Sequence, residues 1–220
     1  SLFDEGKIPI VVGGSGLYVR ALVDGIFDSV DNDEEYRKEL HLQREKFGNE
    51  SLYEDLMKID QESASKMLPQ NWKRVMRALE VYHLTGEPIS KFQSDHKRET
   101  GIKFIQYGLN WNRDKLYSNI ENRVDTMIQM GLIDEVENIL NRGFSKNINA
   151  LNTVGYKEII SYLEGEITIE RAVELIKRNT RRYAKRQMTW FNADNRIKWL
   201  QTDSQNDLGA AIGIILKNIN

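Results

Sequence analysis

KIPIVVGGSGLYVRALVDG, residues 7–25, passes from an apolar run through a glycine turn into a segment with helical spacing. Ile8 to Val12 read as a short buried strand, and Gly13, Gly14, Ser15 and Gly16 as the turn that ends it. Leu17 to Asp24 then read as a helix closed by Gly25. Strand, turn and helix in that order suggest an α/β layer. Glycines in such a turn let the backbone approach a ligand, and the helix that follows offers unpaired N–H groups to an anion. The turn lacks the lysine of a Walker A loop and the spacing of a dinucleotide fingerprint. A tight strand-to-helix connection without a ligand is the plain alternative. Tyr18 and Arg20 fall on different faces of the helix, and one of them is expected in the core.

Outward from this unit, residues 28–33, DSVDND, form a polar break with helix-capping character. EEYRKELHLQREKFGN and ESLYEDLMKIDQESASKM carry apolar residues at helical spacing and read as a small helical subdomain. Pro69 separates them from NWKRVMRALEVYHLTG, a helix closed by Gly86, with Val75, Leu79 and Tyr82 on its core side. Residues 89–101 are polar and read as a loop, and IKFIQYGLN, residues 102–110, as a second strand. Two helices split at Gly131 follow, then one ended near Gly165, then the longest, N-capped by Thr168. RIKWLQTD, residues 196–203, reads as a third strand and LGAAIGIILKNI as a terminal helix. Three strands among many helices give a small sheet covered by helices, which is few for an α/β enzyme.

The 220 residues carry a net charge of -2, 40% hydrophobic and 29% charged residues, enough to bury a full core in one large domain or two small ones. No run of about 18 apolar residues is present, and SLFDEGKIPI has no signal-peptide pattern. With no cysteine, thiolate chemistry is excluded. His41, His83 and His96 lack metal-ligand spacing. A near-neutral total still allows a local basic patch.

That patch lies late in the chain. Arg171, Lys177, Arg178, Arg181, Arg182, Lys185 and Arg186 fall on one helix with Glu174 the only acid between Arg171 and Trp190. Arg178, Arg182 and Arg186 stack on one face and Lys177, Arg181 and Lys185 on the neighbouring ridge. Like charges at that spacing repel, so cations without acidic partners point to phosphate contacts, on a small substrate or a polynucleotide. A solvated face is the bland alternative. Arg74 and Arg77, with Lys73, repeat the theme upstream. Arg123 has Glu121 and Asp125 close by, which makes an intramolecular salt bridge its bland reading. Trp190 and Trp199 are either base-stacking platforms or core. No acid/base pair stands out from the residues alone.

GGSGLYVRAL (13–22), KRVMRALEVYHLTGEPIS (73–90), LYSNIENRVDTMIQMGLIDEV (116–136), VGYKEI (154–159) and TRRYAKRQMTWF (180–191) together resemble the tRNA dimethylallyltransferase family. The resemblance implies an α/β fold: a P-loop-like parallel sheet core covered by helices, with a small all-helical insertion. The core would be residues 1–27 and 67–220, and the insertion 28–66. It implies transfer of a dimethylallyl group from dimethylallyl diphosphate to N6 of the adenosine next to the anticodon, the base leaving its stack to be reached. The alternative is a non-catalytic RNA-binding module. The implied partners are the tRNA anticodon stem-loop and the diphosphate, for a cytoplasmic monomer without a membrane. The implied cofactor is Mg2+, with no metal ligand in these residues.

By the same resemblance Gly13, Gly14 and Ser15 line the channel where the substrates meet, and Arg123 and Arg181 steady the diphosphate as charge grows on it. Arg37 falls where an insertion residue touches tRNA. Lys73, Arg74 and Arg77 form one tRNA-contacting stretch, Asn152, Gly155, Tyr156 and Lys157 a second, and Lys185, Arg186, Gln187 and Trp190 a third. Family members begin with a GPTxxGKT loop and a DSxQ stretch holding the catalytic aspartate, and neither occurs here. The resemblance therefore implies the C-terminal two-thirds or more of such an enzyme, with a sheet incomplete at its N-terminus and little or no transfer activity by itself.

Overall fold

A computed structural model describes residues 2, 4–25, 30–95 and 101–219. It divides into two compact units, Leu17–Lys103 and the pair of segments Ser1–Gly16 and Phe104–Asn220. In chain order the helices and strands are α1 (Gly16–Val23), α2 (Glu34–Ile59), α3 (Gln61–Ser65), α4 (Trp72–Thr85), α5 (Ile89–Asp95), β1 (Tyr107–Asn110), α6 (Arg113–Gln129), α7 (Leu132–Asn141), α8 (Tyr156–Leu163), α9 (Ile169–Phe191), β2 (Lys198–Gln201) and α10 (Gln205–Ile219). The chain is mostly helical with a small parallel sheet.

In the Leu17–Lys103 unit, Asp33 caps α2 by accepting bonds from the N–H groups of Glu35 and Tyr36, both at 3.0 Å. The helix breaks at Gly48, whose φ of 85° only glycine adopts without strain. This is why the sequence reads there as two helices. Leu40, Leu52 and Leu56 of α2 pack with Ala64 of α3 and with Val75, Met76, Ala78 and Leu79 of α4. Each fully buried leucine contributes roughly 1.5–3 kcal/mol relative to exposure. Because α4 supplies half of this core, the contact boundary lies beyond the 28–66 segment read as the insertion.

Residues 89–95 correct the sequence reading, being helical rather than a loop. Pro88 precedes the first turn, Ile89 packs on the core, and the Ser90 N–H donates to Asp60 Oδ2 at 3.0 Å. The anchor is a carboxylate thirty residues away, which local polarity could not reveal.

In the other unit, β1 and β2 run parallel with Gly108 opposite Trp199 and Leu109 opposite Leu200. α6 to α9 form the crossover between them, as parallel strands require. Val124, Leu132, Val136, Leu151, Ile159, Ile160, Ala172 and Ile176 make its core. Among the described residues there are two strands, not three. Residues 8–12 form no ladder, and Ile10, Val11 and Val12 are exposed. Their apolar character marks a segment suited to burial; a strand also needs a neighbour to pair with.

Candidate functional site

α9 begins at Thr168, whose side chain accepts the Arg171 N–H at 3.3 Å, and buries Ala172 and Ile176 against the unit core. Its inner ridge is ionically tied to α6. Lys177 lies 2.7 Å from Asp125 and Arg181 2.6 Å from Glu121, so the two helices run antiparallel. Arg171 pairs with Glu174 at 2.5 Å. The expectation that these cations have no acidic partners is thus corrected for Arg171, Lys177 and Arg181. The partners on α6 come from 52 and 60 residues away, out of reach of helix periodicity.

The other cations of α9 behave differently. Arg182, Lys185 and Arg186 are exposed, and among the described residues none of them makes an ion pair. Arg186 lies over the Tyr183 ring at 5.7 Å. Arg178 is half-buried, with its Nε buried and unbonded. Arg123 follows the same division. Glu121 and Asp125 are engaged by α9, and Arg123, about 200° round the helix from Glu121, is exposed without an ion pair among the described residues. Its bland reading as a salt bridge fails. Arg181 instead carries Glu121 and borders the Tyr117 ring at 5.9 Å, and no contact joins it to Arg123.

The glycine turn packs on the C-terminal end of α9. Gln187 Nε2 donates to the Gly14 carbonyl at 2.7 Å. A Cβ on Gly14 would collide with that amide, and one on Gly16 with the Trp190 indole. Gly13 faces open space, and Ser15 is half-buried. α1 buries none of its residues, and both Tyr18 and Arg20 are exposed, so neither belongs to the core. Trp190 is 38% exposed with one edge on Gly16. Trp199 packs over Gly108 of the paired strand, which places it in the sheet rather than on a stacking platform.

Residues 152–157 lead into α8 through Gly155, whose φ is 105°. Glu158, 4% exposed, accepts the Gly155 N–H at 2.8 Å and the Asn179 side chain of α9 at 2.7 Å. Glu158, at the third position of α8, thus satisfies the N–H at the helix start and ties it to α9. Tyr156 donates to Glu135, and that bond raises its phenol above the usual range. Asn152 and Lys157 line a cavity of about 360 Å³ with Lys146, Asn147, Leu151, Ile160 and Glu164.

In the Leu17–Lys103 unit, Arg37 and Arg77 converge on Glu80, a residue the sequence reading passed over. Glu80 is wholly buried. Arg37 Nε lies 2.7 Å and Arg77 Nη1 2.6 Å from its oxygens, and the Asp33 N–H donates at 2.9 Å. Burial pushes this carboxyl up, but the bonds from Arg77, Asp33 and Arg37 more than offset it and hold it below the usual carboxylate range. Arg77 also donates to the Val30 carbonyl at 2.8 Å, and Arg37 to Asn32 Oδ1 at 2.7 Å. Lys73 and Arg74 are exposed. Lys73 and Arg44 flank the Trp72 ring at 5.3 and 4.0 Å.

Among the described residues, no group of three or more His, Cys, Asp or Glu side chains could hold a metal ion. A magnesium ion needs only one or two carboxylates when substrate phosphates complete its shell. No described helix is long and apolar enough to cross a membrane.

The chain is thus a mostly helical α/β protein in which, among the described residues, Arg182, Lys185 and Arg186 are exposed cations without an ion pair. The family model described as IPP transferase matches residues 1–194, and the chain belongs to that family. It is 47% identical over 213 residues to a tRNA dimethylallyltransferase of Pelotomaculum thermopropionicum, covering 95% of this chain and 67% of the relative. It is also 47% identical to tRNA dimethylallyltransferase 2 of Geotalea uraniireducens, covering 91% of this chain and 65% of that one. The chain thus spans about two thirds of the length of these relatives. A solved tRNA isopentenylpyrophosphate transferase from Bacillus halodurans superposes with a TM-score of 0.62 at 36% identity, over 98% of this chain and 68% of that one. A eukaryotic dimethylallyltransferase acting on tRNA gives a TM-score of 0.74 at 26% identity, over 97% and 56%.

Proposed function

We propose that this chain carries the tRNA-facing part of a dimethylallyltransferase, one that moves a dimethylallyl group from its diphosphate to N6 of the adenosine next to the anticodon. The observation that carries the reading is the charge partition of α9 and α6. Acids on α6 neutralise the inner cations, while Arg182, Lys185, Arg186 and Arg123 keep their charge for a ligand. Lys185 and Arg186 would contact RNA phosphates, as would Lys73 and Arg74, and Arg37 and Arg77 would add positive charge while bonded to Glu80, Asn32 and the Val30 carbonyl. Asn152, Gly155, Tyr156 and Lys157 would add a further RNA contact beside the cavity. Gly13, Gly14 and Ser15 would face the reacting groups.

Arg123 is the stronger candidate for the departing diphosphate, because its donors are uncommitted; Arg181 would act with Glu121 already attached. Positive charge there lowers the barrier by opposing charge that grows as the C–O bond to diphosphate breaks. Magnesium would travel with the diphosphate, and no step is assigned to it. Residues 28–66 as the inserted segment of a 1–27 and 67–220 core, a monomeric state and a cytoplasmic location complete the proposal.

The test incubates tRNA and dimethylallyl diphosphate with this chain and, separately, with the full-length Pelotomaculum relative. Modified adenosine is sought by mass spectrometry, and tRNA affinity is measured across a salt series. Product from the relative together with steeply salt-dependent binding by this chain is expected. Salt-independent or absent binding by this chain would overturn the reading.

A further inference from the structure

The end of α9 carries two side chains, Gln187 and Trp190, in a run of cations, and the sequence suggests the same role for all of them: RNA contact. Their contacts in the structure are of another kind. Gln187 gives its amide N–H to the Gly14 carbonyl at 2.7 Å, across 173 residues of chain. Trp190 lays the edge of its indole on Gly16. The space that a side chain at Gly14 or Gly16 would need is filled by these two groups, whereas the space at Gly13 is open. Two of the glycines are therefore explained by the approach of a helix, not by the approach of a ligand.

We propose that Gln187 and Trp190 are positioning residues that clamp the Gly13–Ser15 turn onto α9. This rests on the proposed transfer reaction, in which the turn faces the reacting groups and the outer cations of α9 face RNA. One helix then fixes both sides of the reaction. The cations Arg182, Lys185 and Arg186 hold the acceptor, and the next residue, Gln187, fixes the carbonyl of Gly14 directly before Ser15. An amide is suited to this because it donates without adding charge. A turn placed this way is set before substrate arrives, and a misplacement of about 1 Å is worth as much as a hundredfold in rate.

Gln187→Ala, Gly14→Ala and the double variant make the test, with Gly13→Ala as the control for open space. Limited proteolysis with a protease of broad specificity, cleavage within residues 13–16 being located by mass spectrometry, reads the clamp in this chain without any reaction. Protection in Gln187→Ala is expected to fall about tenfold while Gly13→Ala leaves it unchanged. In the full-length relative, alanine at the position matching Gln187 is expected to lower kcat about tenfold or more with KM for tRNA within about twofold. The Gly14→Ala change should be partly rescued when the glutamine is also shortened, a non-additive pair. Unchanged protection in Gln187→Ala overturns the clamp. So does a rise in KM for tRNA at constant kcat, which assigns Gln187 to the RNA. If the wild-type relative forms no product, the transfer reading falls while the proteolysis measurement still decides the clamp.

Discussion

Arg77→Ala is the most telling change in the Leu17–Lys103 unit, because it leaves the wholly buried Glu80 with one cation instead of two. Taking one partner from a buried ion pair costs roughly 3–5 kcal/mol. Arg37 at 2.7 Å and the Asp33 N–H at 2.9 Å remain, which puts the loss near the lower end, about 3 kcal/mol. The bond to the Val30 carbonyl is also lost, freeing the segment before α2. With a urea slope of about 2 kcal/mol/M, the midpoint should drop by about 1.5 M, followed by circular dichroism on the whole chain. Adding Glu80→Gln to the variant should recover part of this, since the stranded charge is then gone.

The pH response gives the sign. The Glu80 carboxyl sits below its ordinary 4.5 in the folded chain, so its contribution is present above that value and is lost as pH falls through the folded value. Without Arg77 the folded value rises, so the deficit is full at neutral pH and shrinks as acid protonates Glu80. A loss under about 1 kcal/mol, typical of an exposed pair, with no change between neutral and acid pH, would refute the buried-charge reasoning.

In the full-length relative, alanine at the position matching Arg123 should cut the steady-state transfer rate by about a hundredfold; in this chain Arg123→Ala should leave the urea midpoint unchanged, whereas Arg181→Ala should lose about 0.2–1 kcal/mol of stability through Glu121. Gly131→Ala forces alanine to a φ of 96° between α6 and α7 and should cost about 1–2 kcal/mol, read as a lower melting temperature. Asp194 is held at about 2 by the Arg196 side chain, against an ordinary 3.8, so its contribution holds above 3.8 and is lost as pH falls toward 2. Arg196→Ala should flatten that acid limb of the stability profile.

Helix positions were legible because their signals are local. Gly86 with a φ of 72°, Gly131 between α6 and α7, and Thr168 ahead of α9 each act within one turn of the helix they bound. The strands were less so. β1 spans 107–110 of the expected 102–110 because pairing is set by what β2 offers, a partner some ninety residues distant. The basic helix was readable in composition, and its ion-pair partners were not. Periodicity placed Lys177 and Arg182 on one basic helix, but could not say that Asp125 neutralises the first and that no acid meets the second. Glu80 was hidden for a related reason: a single glutamate in RALEV looks like a surface charge until two arginines close on it.

The paired and the unpaired cations of α9 set different rules for how this sequence can drift. Lys177 and Arg181 answer to Asp125 and Glu121, so reversal of both charges in a pair restores the attraction, and such positions can change in step. Arg182, Lys185 and Arg186 have no counterpart among the described residues that could compensate for their loss. Their substitution is answerable to whatever molecule they hold. Paired exchange at some positions of the helix and steadfast charge at others is the pattern that a helix serving two masters should leave among its descendants.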